Sequence, residues 1–149
     1  MQPRHVDAVC EIENDSFSVP WSRESIVGDY VNNARSAYFV ALDEEDLVVG
    51  YASVWHVVNE GHIINVAVDR RHRRRGAGSL LIERLVSFAA EKEMIGLTLE
   101  VRVGNREAMG LYHKYGFAVE GLRKNYYSDT GEDAVIMWKR LPAPQTNQG

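Results

Sequence analysis

Residues 63–81 read Ile-Ile-Asn-Val-Ala-Val-Asp-Arg-Arg-His-Arg-Arg-Arg-Gly-Ala-Gly-Ser-Leu-Leu. An apolar strand, Ile63 to Val68, runs into a basic turn. The turn opens a helix whose Leu80, Leu81, Leu85, Val86 and Ala89 recur at helical spacing. The first N–H groups of a helix have no partner within it, and the helix dipole adds attraction for an anion. Glycine lets the backbone approach a phosphate where a Cβ would block it. Arg73, Arg74 and Arg75 beside Gly76, Ala77, Gly78 and Ser79 therefore form a candidate phosphate cradle. The spacing is not GxGxxG, which argues against a dinucleotide. It is not GxxxxGK[ST], which excludes a nucleotide-hydrolysing P-loop. A solvated basic loop capping a core helix fits the same residues. Together with Arg70 and Arg71 the cluster also raises nucleic-acid binding. The chain as a whole argues against direct contact with nucleic acid, because its formal net charge is −4 and its pI about 5.7.

Outward from this stretch, 149 residues fit one domain with a real core. Apolar residues make up 45% and charged residues 26%, the ordinary balance of a globular protein. No apolar run is long enough to span a bilayer, so no membrane role is expected. The start, Met1 to Glu13, lacks an apolar signal core, and a cytoplasmic location is expected. The single Cys10 agrees with a reducing compartment and sits in a helical pattern as a small hydrophobe. The five histidines are scattered without metal-ligand spacing, so no metal is expected. The domain is expected over 1–141, followed by a polar, disordered tail over 142–149.

Val6, Val9, Ile12 and Phe17 mark one face of a first helix, and Ser22 can cap a second one through about Val31. Strands are expected over Tyr38 to Leu42, over Leu47 to Val57 with Gly50 as a bulge, and over Ile63 to Val68 after a turn holding Gly61. Beyond the glycine-bearing helix come a strand from Leu97 to Arg102 and a short helix from Asn105 to Tyr115, closed by Gly116. Val119 to Tyr127 and Ala134 to Leu141 then form a closing β-pair. Short strands interleaved with helices make an α/β domain around a mixed sheet. Arg73, Gly76 and Gly78 resemble the acyl-CoA pyrophosphate loop, Gln/Arg-x-x-Gly-x-Gly/Ala, of the GNAT-type N-acetyltransferases. The element order matches that fold. The resemblance implies acetyl-CoA as co-substrate and a mostly antiparallel central sheet of about six to seven strands with flanking helices.

Moving an acetyl group from a thioester to an amine needs a base for the amine, donors for the developing oxyanion and an acid for the departing thiolate. Alternation along Leu97 to Arg102 puts Glu100 on the face opposite Leu99 and Val101, in the middle of an expected inner strand of the sheet. A carboxylate there needs a cation or a wet cleft, so a structural ion pair and a general base are equally open. Tyr112 falls on the short helix with Ala108, Leu111 and Tyr115. It can bury its ring and aim its hydroxyl at a sulfur, or serve as a core aromatic with one hydrogen bond.

A closer resemblance bears on these alternatives. Leu99-Glu100-Val101-Arg102-Val103-Gly104-Asn105, then Ala108 and Leu111-Tyr112-x-x-Tyr115-Gly116-Phe117, is similar to the protein N-terminal acetyltransferases, as is Asn65 to Asp69. Phe17 to Ser22 and Asn125-Tyr126-Tyr127 with Gly131 to Ala134 and Met137 resemble the bacterial ribosomal-protein alanine N-acetyltransferases. The likeness runs from about residue 3 to 141. It implies Glu100 as base, acting through water, and Tyr112 as acid. It implies that Val66, Ala67 and Val68 offer backbone groups to the pantetheine arm and thioester, and that Asn105 touches the CoA arm. Arg73 and Arg75 stand where glutamine is frequent, which keeps the donors and adds charge. Gly104 stands where a small polar residue is common.

The same likeness implies a peptide N-terminus held between the Phe17–Ser22 loop and the 124–133 segment. Trp21, Tyr126 and Tyr127 are candidates to line that slot, and Glu132 and Asp133 to attract a cationic partner such as the N-terminus of a basic ribosomal protein. A core aromatic cluster and solvated turn acids remain open readings of the same residues. A broader protein N-α-acetyltransferase is the nearest alternative function. A non-catalytic acyl-CoA-binding module is the more distant one, and the presence of both Glu100 and Tyr112 speaks against it. The oligomeric state is left open.

Overall fold

The computed structural model describes residues 1–73 and 75–142, so the expectations for Arg74 and for residues 143–149 lie outside the described residues. The chain order is α1 (Val6–Ser16), α2 (Arg23–Asn32), β1 (Ser36–Leu42), β2 (Val48–Val57), β3 (Glu60–Val68), α3 (Ala77–Glu91), β4 (Gly96–Arg102), α4 (Arg106–Lys114), β5 (Ala118–Arg123) and β6 (Ala134–Arg140). Short 3₁₀ turns lie at Pro3–His5 and Arg70–His72. Ser22 caps α2 by accepting the Ser25 N–H, and Asn105 caps α4 by accepting the Ala108 N–H, as their side-chain chemistry requires.

The six strands form one sheet in the order β1-β2-β3-β4-β6-β5. Every neighbouring pair is antiparallel except β3 and β4. Each face of the sheet carries its own helices, because residues alternate along each strand. On one face Leu81, Ile82, Leu85 and Ala89 of α3 pack on Ala52, Val54, Leu97 and Leu99. On the other, Val9 and Ile12 of α1 and Ile26 of α2 pack on Tyr38, Tyr51 and Ala67.

Three expectations need correction. Gly61 is not in a turn but within β3, and the tight turn before it falls at Val58, with φ 57°. A Cβ on Gly61 would sit 2.5 Å from Leu97 Cδ2 and 2.8 Å from Met94 Sδ, so close packing explains this glycine. The bulge expected at Gly50 is made by its neighbour: Ala41 pairs with Gly50 and Leu42 with Val48, leaving Val49 extra. β5 ends at Arg123 and not at Tyr127, because Asn125 turns the chain at φ 52° into a loop that lasts to β6.

Two features of β3 position the site. Ser53 pairs with Asn65 and Val54 with Ile63, so Ile64 is a bulge that kinks the strand. The parallel pairing of β3 with β4 stops at His62 and Thr98, although β3 continues to Val68 and β4 to Arg102. Past that point the two central strands diverge and leave a wedge between them.

Candidate active site

The phase of hydrogen bonding along β3 decides what the wedge offers. Asp69 donates its N–H to the Val49 carbonyl at 2.7 Å, which fixes that opposed pair as a hydrogen-bonded one. Antiparallel ladders alternate, so Ala67 bonds to Tyr51 across the ladder, while Val66 and Val68 aim their N–H and C=O groups away from β2. Those groups face the wedge that β4 has vacated. Consistent with this phase, the Val68 carbonyl accepts from Arg73 Nε at 3.4 Å. An extended chain with its own amides could pair there as an added strand.

The wedge ends at the N-terminus of α3. Gly76 is its N-cap residue, in the left-handed region at φ +87°, which points the chain so that the following N–H groups open outward. A Cβ on Gly78 would lie 3.2 Å from Leu111 and 3.8 Å from Val68, so this end of α3 packs directly against both α4 and β3. Arg73 and Arg75 are exposed beside it. Asp69 holds the turn by accepting the Arg71 backbone N–H at 2.9 Å and pairing with its guanidinium, which also holds the Asp69 carboxyl below its usual range.

A cleft of about 1050 Å³ passes through the wedge, and Glu100, Tyr112, Asn105 and Val66 all line it. This volume is at the upper end for small-molecule sites. Glu100 reaches it from the α1–α2 face of the sheet and Tyr112 from α4, so the two candidates meet one cavity from different elements. Glu100 pairs with Arg123 Nε at 3.1 Å, and its carboxylate raises the pKa of the Tyr126 hydroxyl. Tyr112 is buried, its ring edge-on to Phe117 at 5.6 Å. Burial pushes its hydroxyl pKa up, so it keeps its proton.

Two loops wall the other side. Trp21 lines the cleft and packs edge-on against Trp55 at 6.4 Å. Tyr126 and Tyr127 also line it, edge to face at 5.1 Å. Arg102 stacks 3.9 Å over the Tyr127 ring and grips Asp129 through two hydrogen bonds of 2.9 and 3.0 Å. That grip, with a further bond from Ser18 at 2.6 Å, holds the Asp129 carboxyl down at about 2. Asp129 thus ties the 124–133 segment to both β4 and the Phe17–Ser22 loop. Glu132 and Asp133 are placed differently from the cleft-lining tyrosines. Glu132 accepts the Gly104 N–H at 2.9 Å and so ties the segment to the turn after β4, while Asp133 accepts the Asn125 N–H at 2.9 Å and braces the segment internally.

Sequence reasoning passed over Arg123, Arg102, Asp129 and Glu13, all of which line the cleft. Glu13 carried a usable signal, because it follows Val9 and Ile12 on the apolar stripe of α1, where a carboxylate is out of place. Arg123 and Asp129 carried none, since their partners are distant in the chain. Among the described residues no group of three His, Cys, Asp or Glu is arranged to hold a metal, and no helix is long and apolar enough to cross a membrane.

Comparison with known proteins agrees with this geometry. A model of the Acetyltransferase (GNAT) family matches residues 6–117. A Bacillus subtilis protein provisionally named as a [ribosomal protein bS18]-alanine N-acetyltransferase is 39% identical over 138 residues, 93% of this chain and 91% of that one. The [ribosomal protein bS18]-alanine N-acetyltransferase of Salmonella typhimurium is 33% identical over 132 residues, 87% of each chain. The crystal structure of the ribosomal-protein-S18-alanine N-acetyltransferase from Escherichia coli superposes with a TM-score of 0.88 at 28% identity, covering 100% of this chain and 96% of that one.

Proposed function

Since the chain belongs to the GNAT family of acetyltransferases, and is an acetyl-transferring enzyme on that ground, we propose that it acetylates the α-amino group of the N-terminal alanine of ribosomal protein bS18. The observation that carries this reading is the placement of Glu100 and Tyr112 on one cleft that Val66, with its peptide groups turned away from β2, also lines. The relatives named for bS18 acetylation support the choice of substrate. A ribosomal-protein substrate would place the enzyme in the cytoplasm.

Acetyl-CoA fits the residues present. The outward groups of Val66 and Val68 match the amides of a pantetheine arm, and the α3 N-terminus with Gly76, Ala77, Gly78 and Ser79 matches a pyrophosphate. Arg73 and Arg75 add charge at that end, and Asn105 lines the path. When bound, acetyl-CoA supplies an acetyl group activated as a thioester. Glu100 Oε1 takes the proton from the peptide ammonium, directly or through a water, once Arg123 yields its place. An outward N–H of β3 is available to the thioester oxygen. The Tyr112 hydroxyl, kept protonated by burial, gives its proton to the departing sulfur. Trp21, Tyr126 and Tyr127 enclose the first residues of the peptide.

The test is intact-mass analysis of a peptide copying the bS18 N-terminus, incubated with enzyme and acetyl-CoA beside the same peptide with a blocked α-amine. One added acetyl group on the free amine, and none on the blocked one, is expected. Addition to both would place the chemistry on a side chain, and equal turnover of peptides with unrelated first residues would favour a broad N-α-acetyltransferase.

A further inference from the structure

Glu13 is 1% exposed, at the C-terminal part of α1, and it also lines the cleft. Both of its carboxylate oxygens are engaged. Oε1 accepts the Tyr51 hydroxyl, and Oε2 accepts the backbone N–H of Trp21 at 2.8 Å. Tyr51 is fully buried in β2, and burial and then Glu13 push its hydroxyl pKa up. In the ladder Tyr51 pairs with Ala67 of β3, between Val66 and Val68. The wedge strand is therefore joined, through its ladder partner Tyr51 and then Glu13, to Trp21 of the Phe17–Ser22 loop.

A buried carboxylate is costly unless its lone pairs are satisfied, and a salt partner is the usual solution. Glu13 has neutral donors instead, one of them a main-chain N–H in a loop that no strand holds. We infer that Glu13 is a positioning residue: its carboxylate sets the Phe17–Ser22 wall of the cleft and ties that wall to the strand beside the acyl donor. The inference rests on reading this wall as part of the peptide site. Glu13 touches no reacting atom, so its removal should loosen peptide capture and leave acetyl-CoA binding alone. Loss of a charge-assisted hydrogen bond corresponds to roughly a tenfold to hundredfold change in an equilibrium.

The experiment compares Glu13→Ala and Glu13→Gln with the wild type in steady-state kinetics and in amide hydrogen exchange at Trp21. Glu13→Ala should raise peptide KM at least about tenfold with acetyl-CoA KM within about twofold, and should speed Trp21 exchange by a similar factor. Glu13→Gln, which keeps an acceptor for Trp21 and can donate to Tyr51, should restore most of both. A wild-type peptide KM in folded Glu13→Ala, or an equal rise in both KM values, overturns the inference. If Glu13→Ala does not fold, exchange in the wild type decides: protection at Trp21 no greater than at Ser18 or Val19 overturns it. Exchange needs no substrate, so a failure of the bS18 reading and a failure of this one are separable.

Discussion

Replacing Gly76 by alanine tests the phosphate cradle with little steric ambiguity. Gly76 sits at φ +87°, and a Cβ built there meets nothing within 4 Å among the described residues. The substitution therefore acts through backbone strain, about 1–2 kcal/mol for an L-residue held in the left-handed region. That strain must appear somewhere. If the loop keeps its shape in the free protein, the whole amount is lost from stability, and a chain of this size should lose about 2–8 °C in Tm. If the free loop relaxes to a right-handed turn, stability is largely spared and the penalty returns on binding. CoA affinity should then fall about fivefold to thirtyfold. Thermal unfolding and calorimetric titration with CoA, run on one preparation, measure both. Gly76→Asn is the control, because asparagine enters the left-handed region more readily and should show a smaller effect in the same observable. Wild-type Tm together with wild-type CoA affinity in Gly76→Ala would refute the argument that this turn is set by the left-handed conformation and that its N–H groups hold the phosphate.

Other expectations follow from the same geometry. Glu100→Gln and Tyr112→Phe should each lower kcat about tenfold to a thousandfold in a stopped assay of CoA release, and near-wild-type rates in both would remove them from the chemistry. Gly61→Ala forces a Cβ against Leu97 and Met94 at the apex of the wedge, and should cost about 1–3 kcal/mol in urea unfolding. Asp129 is depressed to about 2 by Arg102 and Ser18, so it contributes stability that is present above its usual value of 3.8 and is lost as pH falls toward 2. Acid unfolding of Asp129→Asn should lack that component of the slope. Ser18→Ala cuts the link between the two loop walls, and should raise peptide KM with little change in acetyl-CoA KM.

The parts of this protein that were legible in its sequence are those set by local chemistry. The α3 entry could be read because glycine, basic side chains and helical spacing occur within seven residues, from Arg73 to Ser79. The side on which Glu100 projects could be read because alternation along β4 sets it, with Thr98 and Arg102, opposite Leu99 and Val101. Gly61 was misread because its reason is tertiary, the approach of Leu97 and Met94 from elements far along the chain. The early end of β5 was missed for a related reason. Asn125 leaves the strand because Asp133 receives its N–H and Arg102 holds Asp129, and neither interaction has a signature in the hydrophobic pattern. The Arg123 partner of Glu100 is likewise set by the β5–β6–β4 register, in which Arg123 and Arg102 both align with Ala134, one alternation from Glu100 and Ile136.

That register also shows why the site lies where it does. A sheet that paired β3 and β4 along their full lengths would satisfy the peptide groups of Val66 and Val68 internally and leave nothing for a ligand. The Ile64 bulge and the end of parallel pairing at His62 leave those groups unpaired by any strand, with Arg73 Nε reaching only the Val68 carbonyl, beside a strand whose far side remains fully paired with β6 from Gly96 to Arg102. Glu100 is therefore held on a rigid strand while facing an open wedge. The left-handed turn at Gly76 lies at the other end of the same opening. An acyl donor that completes the ladder would restore hydrogen bonds the fold itself forgoes, so donor binding should stiffen β3 along with the cradle. Hydrogen exchange at Val66 and Val68 should slow on adding CoA, while exchange at Ala67, already bonded to Tyr51, should change far less. Equal protection at all three would mean that CoA acts on the whole strand by general stabilisation and not by pairing with its open side.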